Sequence, residues 1–275
     1  MPSTHIGNLK LDAALPAQPT RPAMLMVHGI MGGSWYFAKW LDFFCARGAP
    51  AYAVNLRGHH GSRPVENFGR VSVMDHVTDV IDAAAGVRER HPGAPLVLVG
   101  HSMGALVAQK AAESLAPAAL VLLSAVPPGG IPLLCWQLFR REVRHLGAML
   151  TSRAIVADPT DVAELFLNRV DPAEAKSFLE RWMPASGRAG REISLGRIAV
   201  DANRITCPVL VVAGADDVAI PARIQRKVAL KYGGMFRVYE RNAHFLIWEP
   251  GWDRIAADVA HWIDQHVSTV RARSA

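Results

Sequence analysis

Ser102 stands at the centre of Gly100-His101-Ser102-Met103-Gly104, where an apolar run, Leu96-Val97-Leu98-Val99, gives way to an alanine-rich helical pattern from Ala105 to Leu115. The expected local structure is strand, sharp turn, helix, with the serine at the apex. A turn this tight strains the serine backbone and leaves no room for side chains two residues to either side, which is a physical reason for glycine at 100 and 104. The hydroxyl is thereby pushed out where a substrate can meet it. A serine hydroxyl is a poor nucleophile at neutral pH, so it needs a base, and an imidazole serves best when a carboxylate fixes its tautomer.

Those partners are expected in loops beyond the carboxyl ends of strands, in the chain order nucleophile, acid, histidine. Of eleven histidines, only His244, His261 and His266 follow the last candidate acid. His261 and His266 fall in a C-terminal amphipathic pattern, whereas His244 comes four residues after an apolar run that ends at Glu240. His244 is therefore the expected base. The loop after Val209 to Ala213 offers two acids, Asp216 and Asp217, and spacing alone does not choose between them. Two backbone N–H groups are needed for a developing oxyanion, one from the residue after the nucleophile and one from a loop at the end of the first buried strand. Met103 and Ile30, the latter in His28-Gly29-Ile30-Met31-Gly32-Gly33, occupy those positions. That glycine-rich loop has no nucleotide fingerprint, since it lacks both G-x-G-x-x-G and a following Gly-Lys-Ser/Thr.

The elements that must hold these groups alternate. Short apolar runs at Met24 to Val27, Ala51 to Asn55, Leu96 to Val99, Leu120 to Ser124, Val209 to Ala213 and Phe236 to Glu240 read as strands. Helical patterns around Tyr36 to Arg47, Val73 to Arg90, Gly104 to Ala116 and Trp252 to Val267 separate or follow them. The rhythm predicts an α/β fold with a mostly parallel central sheet covered by helices on both faces. It breaks after Pro127-Pro128-Gly129-Gly130, and no strand is expected until Thr206-Cys207-Pro208. Residues 127–203 are thus expected to form an inserted helical cap on a core made of 1–126 and 204–275. The insertion mixes large apolar residues such as Leu133, Trp136, Phe139, Phe166, Phe178 and Trp182 with arginines, as expected of a lid with its apolar face down and its arginines in solvent. Trp35, Trp136, Trp182 and Trp248 are candidates for lining the substrate pocket.

Composition narrows the remaining classes. The 275 residues carry a net charge of +6, but the basic residues are spread along the chain without aromatic-interleaved stripes, so no nucleic-acid partner is expected. No apolar stretch approaches bilayer length, which argues against stable membrane insertion. The N-terminal residues lack the basic start and apolar block of a secretory signal, and the three cysteines Cys45, Cys135 and Cys207 are odd in number and have no C-x-x-C spacing. Free thiols in a reducing cytoplasm are the expectation. The adjacent histidines of Asn55-Leu56-Arg57-Gly58-His59-His60-Gly61-Ser62 diverge and have no further ligand at metal spacing, so this cluster reads as a structural turn, and neither metal nor cofactor is expected.

With serine, acid, histidine and oxyanion loop in this order, the chain resembles the α/β-hydrolase superfamily, in particular its esterase, lipase and lysophospholipase-like enzymes with a helical cap. The resemblance rests on Met24-Leu25-Met26-Val27-His28-Gly29, Arg57 to Ser62, Gly100 to Gly104, Gly214-Ala215-Asp216-Asp217 with Pro221, and Ala243-His244-Phe245. Relatives carry the acid at the fourth position of Gly-x-x-Asp with proline four residues on, so the resemblance implies Asp217. It also implies shortened first strands and, because Asn55 stands where relatives show aspartate, a locally altered turn. The implied activity is hydrolysis of a small-molecule carboxylic ester with a hydrophobic acyl or alcohol group. C–C bond hydrolases, perhydrolases and acyltransferases share the machinery. A ligand-binding receptor or pseudo-enzyme is the reading from a different class, against which the complete set of Ser102, His244 and Asp217 argues.

Overall fold

The computed structural model describes residues 2–133 and 135–267. The last eight residues assigned to the core, 268–275, and Leu134 of the insertion lie outside the described residues. Eight strands form one sheet, and its centre is built from runs with no exposed residue. These are β3 (Ala23–Val27), β4 (Ala51–Val54), β5 (Leu96–His101), β6 (Ala119–Leu123) and β9 (Val209–Gly214). Strands buried on both faces read as continuous apolar segments, as parallel sheets with helices on either side require. β10 (Met235–Tyr239) closes one edge, and its half-exposed residues, Arg237 among them, suit a strand with water on one side.

The other edge is a hairpin of β1 (Ser3–Ile6) and β2 (Leu9–Ala14), in a region where residue pattern alone marked no strand. Leu9, Leu11 and Ala13 are buried while Lys10, Asp12 and Ala14 are half-buried, a period of two that was too short to stand out among the nearby polar residues and prolines. The strand order is β1-β2-β4-β3-β5-β6-β9-β10. Within this sheet, the β1–β2 and β2–β4 pairings are antiparallel and the others parallel. The parallel strands from β4 to β10 therefore point their carboxyl ends to the same side.

Helices cover both faces. α1 (Ala38–Cys45) and α10 (Trp252–His266) pack Trp40, Leu41, Phe44, Ile255, Val259 and Trp262 on one core, and α2 (Val73–Arg90), α3 (Met103–Leu115) and α9 (Ala222–Lys231) pack on the other. The helix expected from Tyr36 begins instead as a 3-10 turn over Ser34–Phe37. α2 starts where its pattern predicts, because Ser72 and Asp75 form a reciprocal capping box.

Between β6 and β9 the chain forms α4 (Trp136–Glu142), α5 (Leu146–Leu150), α6 (Pro159–Phe166), α7 (Pro172–Leu179) and α8 (Gly187–Ser194). The expectation of no strand here is corrected by a two-residue ribbon, β7 (Ala154–Ile155) with β8 (Ala185–Ser186). Such a short pairing leaves no period to read. This segment is tied to the loops at the carboxyl ends of the strands: Met183 N donates to Met31 O at 2.9 Å, and Ser186 Oγ donates to Gly69 O at 2.9 Å and Val71 O at 2.6 Å. No helix among the described residues is long and apolar enough to cross a membrane.

Candidate active site

Ser102 joins β5 to α3 with φ 55° and ψ −120°, a conformation that costs a non-glycine residue about 1–3 kcal/mol. Backbone bonds hold it there: Ser102 N donates to Leu123 O at 2.9 Å, and Ser102 O accepts from Ala105 N at 3.0 Å and Val126 N at 3.2 Å. The flanking glycines are steric necessities. A Cβ on Gly100 would sit 2.5 Å from the Ala105 Cα, and one on Gly104 would sit 2.2 Å from the Val27 carbonyl oxygen.

Two loops from the same end of the sheet converge on this serine. His244 follows β10, with Nε2 at 2.9 Å from Ser102 Oγ and Nδ1 at 3.0 Å from Asp217 Oδ2. Asp217 follows β9, and its side chain is fully buried. Its Oδ1 accepts from Ala219 N at 3.0 Å and Ile220 N at 2.8 Å, and its Oδ2 from Gln225 Nε2 at 3.3 Å. Three donors thus keep one carboxylate face-on to the imidazole. Asp216, its neighbour, turns away to Arg169 at 2.6 Å with a third of its side chain exposed. An imidazole held between a hydroxyl and a buried carboxylate is the arrangement that can take the hydroxyl proton and carry the resulting charge.

Ile30 borders the space above Ser102, together with Gly29, Tyr36, His101, Phe166, Trp182, His244 and Phe245. Met103 opens α3, so its N–H lies in the first turn, where helix geometry leaves N–H groups without intrahelical partners. Of the four tryptophans expected to line a substrate pocket, Trp182 borders the space over Ser102. The other three do not border this space. Trp35 is buried behind Tyr36 and Phe178, with the Arg181 guanidinium 4.5 Å over its ring. Trp248 packs on Phe178 and donates its Nε1–H to Tyr36 O at 2.6 Å. Trp136 is 71% exposed. Sequence neighbourhood placed these rings near the loops, but the direction of each side chain is set by the helix or turn that carries it.

Several residues at the site carried no signal in the sequence. Glu249 is completely buried and wraps the loop of His244: it accepts from Ala243 N at 2.6 Å, Phe245 N at 2.9 Å and Asn242 Nδ2 at 3.2 Å. Burial pushes its carboxyl up against the opposing pull of those donors. His101 Nε2 lies 2.8 Å from the His244 carbonyl oxygen, which makes Nε2 the protonated nitrogen. Phe166, from α6, brings its ring centroid 5.0 Å from that of His244. The turn that carries Asn55 is also local in its difference: Asn55 Oδ1 accepts from Ser34 N at 2.8 Å, while Arg57 is held by Asp79 and Asp75 of α2.

Beyond Ile30 and Phe166 opens a cavity of about 90 Å³, lined by Met31, Leu138, Met149, Ile155, Val162 and Leu165 together with Arg141, His145 and Asp161. The space directly over Ser102 is only about 10 Å³, at the limit for one water molecule.

Residues 24–258 match the alpha/beta hydrolase family. The chain belongs to that family. A soluble variant of monoglyceride lipase from Saccharomyces cerevisiae superposes with a TM-score of 0.75 at 14% identity, over 97% of this chain and 95% of that one. The 2-hydroxy-6-oxo-6-phenylhexa-2,4-dienoate hydrolase of Rhodococcus sp. superposes with a TM-score of 0.69 at 17% identity, over 94% and 96%. At such identities the likeness is one of fold. Among curated sequences, malpinin synthetase of Mortierella alpina is 32% identical over 106 residues, 38% of this chain and only 1% of that much longer protein. This alpha/beta hydrolase therefore carries the family fold, and the likeness to these solved structures extends over nearly its whole length.

Buried histidines make the fold of this hydrolase sensitive to acid. Burial, and then the nearby His244, pulls His101 down to about 3; burial, and then His76, pulls His59 down to about 3. An unfolded histidine takes its proton near 6.5, so between these values the unfolded chain binds more protons and stability falls as pH falls. Each ring is expected to remove about 2 kcal/mol between pH ~7 and pH ~5. Glu249 acts in the opposite sense, because its carboxyl is raised, but it is one group against two. Denaturant midpoints at the two pH values check this, and a midpoint that holds or rises on acidification would show that these rings are not kept neutral by the fold.

Proposed function

We propose that this alpha/beta hydrolase is a serine hydrolase that cleaves carboxylic esters with a hydrophobic acyl or alcohol group. The observation that carries the reading is the unbroken line from Ser102 Oγ to His244 Nε2 at 2.9 Å and from His244 Nδ1 to Asp217 Oδ2 at 3.0 Å. His244 takes the Ser102 proton as Oγ attacks the ester carbonyl, and the oxyanion is held by the N–H groups of Ile30 and Met103. Collapse of this intermediate expels the alcohol, which receives the proton from His244. Water then attacks the acyl-enzyme with His244 again as base, and the acid leaves with Ser102 restored. Asp217 holds the ring in place and stabilises the imidazolium.

Residues 127–203 serve in this reading as a cap on a core of 1–126 and 204–275. An ester carbonyl is larger than the space over Ser102, so Phe166 and Trp182 shift when substrate enters. The apolar cavity beyond Ile30 then receives the hydrophobic group.

A fluorophosphonate probe followed by intact-mass measurement tests the nucleophile: one adduct is expected, located on Ser102. No adduct, or an adduct elsewhere, would sink the reading. A series of p-nitrophenyl esters from acetate to palmitate tests the pocket, with the highest kcat/KM expected at intermediate chain length. A maximum at acetate would remove the apolar cavity from the account.

A further inference from the structure

The stretch from Trp136 to Leu150 is apolar on two sides. Leu138 and Met149 point inward, with Arg141 and His145, to the cavity of about 90 Å³. Trp136, Phe139, Val143, Leu146 and Leu150 follow one another at spacings of three and four residues, and they are 71%, 57%, 51%, 52% and 64% exposed. That spacing aligns side chains along one stripe of a helix, and such a stripe ordinarily faces a core. Here it faces away from the protein, across α4, a 3-10 turn over Val143–His145 and α5. The rings of Trp136 and Phe139 lie 5.8 Å apart along it. A contiguous apolar patch of this kind marks a surface that meets a partner.

Charge identifies the partner. From Cys135 to Arg153 the sequence holds four arginines and one acid. Arg140 and Arg153 are exposed, Arg144 is half exposed and pairs with Asp161 Oδ2 at 2.6 Å, and Arg141 turns inward to Asp161 and Glu164. We infer that this outer face of the cap docks peripherally on an anionic lipid bilayer. An apolar stripe edged by arginines fits the acyl boundary and anionic headgroups together. A second copy related by a twofold axis would instead bring a surface of the same net positive charge against this one. The inner face of the same segment lines the cavity, which shares Ile30 and Phe166 with the space over Ser102. A single layer of helix therefore separates the docking surface from this cavity, and Ile30 and Phe166 lie between the cavity and the space over Ser102. The docking itself does not depend on the proposed catalysis.

Flotation with vesicles tests it, using Ser102→Ala so that no lipid is turned over. The protein is expected to float with mixed phosphatidylcholine and phosphatidylglycerol vesicles, to stay behind with phosphatidylcholine alone, and to be released by salt. The double substitution Phe139→Ser and Leu146→Ser should weaken partition at least about tenfold with an unchanged thermal midpoint. Arg140→Gln with Arg153→Gln should weaken it while leaving the apolar stripe intact. Absence of flotation, equal flotation with both vesicle types, or equal flotation of the substituted proteins would overturn the inference. So would a dimer in sedimentation velocity that the Phe139→Ser, Leu146→Ser protein fails to form, since the stripe would then belong to a second copy.

Discussion

Ser102→Ala is expected to lower ester turnover by about 10⁶-fold and to abolish fluorophosphonate labelling, while leaving the fold in place. The size follows from what is lost. Without Oγ there is no acyl-enzyme, and His244 and Asp217 have no nucleophile to activate, so their contribution disappears with that of the serine. The residual rate would come from a water molecule placed beside the N–H groups of Ile30 and Met103. Stability should not suffer, because the bonds that hold residue 102 use its backbone, to Leu123, Ala105 and Val126. Alanine there still bears the strain of φ 55°. Steady-state kinetics with a soluble p-nitrophenyl ester and a thermal melt check both parts. A loss of less than about tenfold would place the nucleophile elsewhere.

Asp217→Asn is expected to reduce kcat by about 10⁴-fold, and Asp216→Asn by far less. An asparagine at 217 keeps the shape of the side chain, but its amide can present N–H to His244 Nδ1. The ring is then pushed toward the tautomer with its proton on Nε2, which cannot accept the proton of Ser102. The charge that stabilises the imidazolium is lost as well. Asp216 differs in surroundings, not in chemistry: it lies at the surface on Arg169, in a pair of the exposed kind that contributes little. Equal losses in the two variants, or the larger loss in Asp216→Asn, would reverse the assignment of the acid. Gln225→Glu offers a finer control, because it replaces the neutral donor to Asp217 with a second carboxylate.

The turn at Ser102 was readable because its causes are local. Strand, Gly100, Ser102, Gly104 and helix occupy adjacent residues, and short-range sterics dictate the turn wherever the segment sits. His244 emerged from chain order and from its place just after a strand, and the parallel sheet followed from the alternation of apolar runs with helical periods. Asp216 and Asp217 differed in the sequence only by position, and the resemblance to relatives favoured Asp217. In the structure they are separated by burial: one meets His244 and the N–H groups of Ala219 and Ile220, and the other meets Arg169.

Other features depended on packing between remote segments. Glu249 braces the loop of His244 only because the chain turns back before α10, and nothing in an apolar stretch with one acid announces a carboxylate that binds two backbone N–H groups. Phe166 reaches His244 across 78 residues of sequence, and Trp35, Trp136, Trp182 and Trp248 end in four different environments although all were candidates for one pocket. The sequence alone determined the buried parallel strands, the main helices that cover them, the turn at Ser102 and the order of the candidate groups, since these obey periodicity and backbone sterics over a few residues. The tertiary structure alone decided which side chains face the serine, which carboxylate is buried beside the imidazole, and which stripe of the cap is left facing outward. Those outcomes depend on how segments far apart in the chain close over one another.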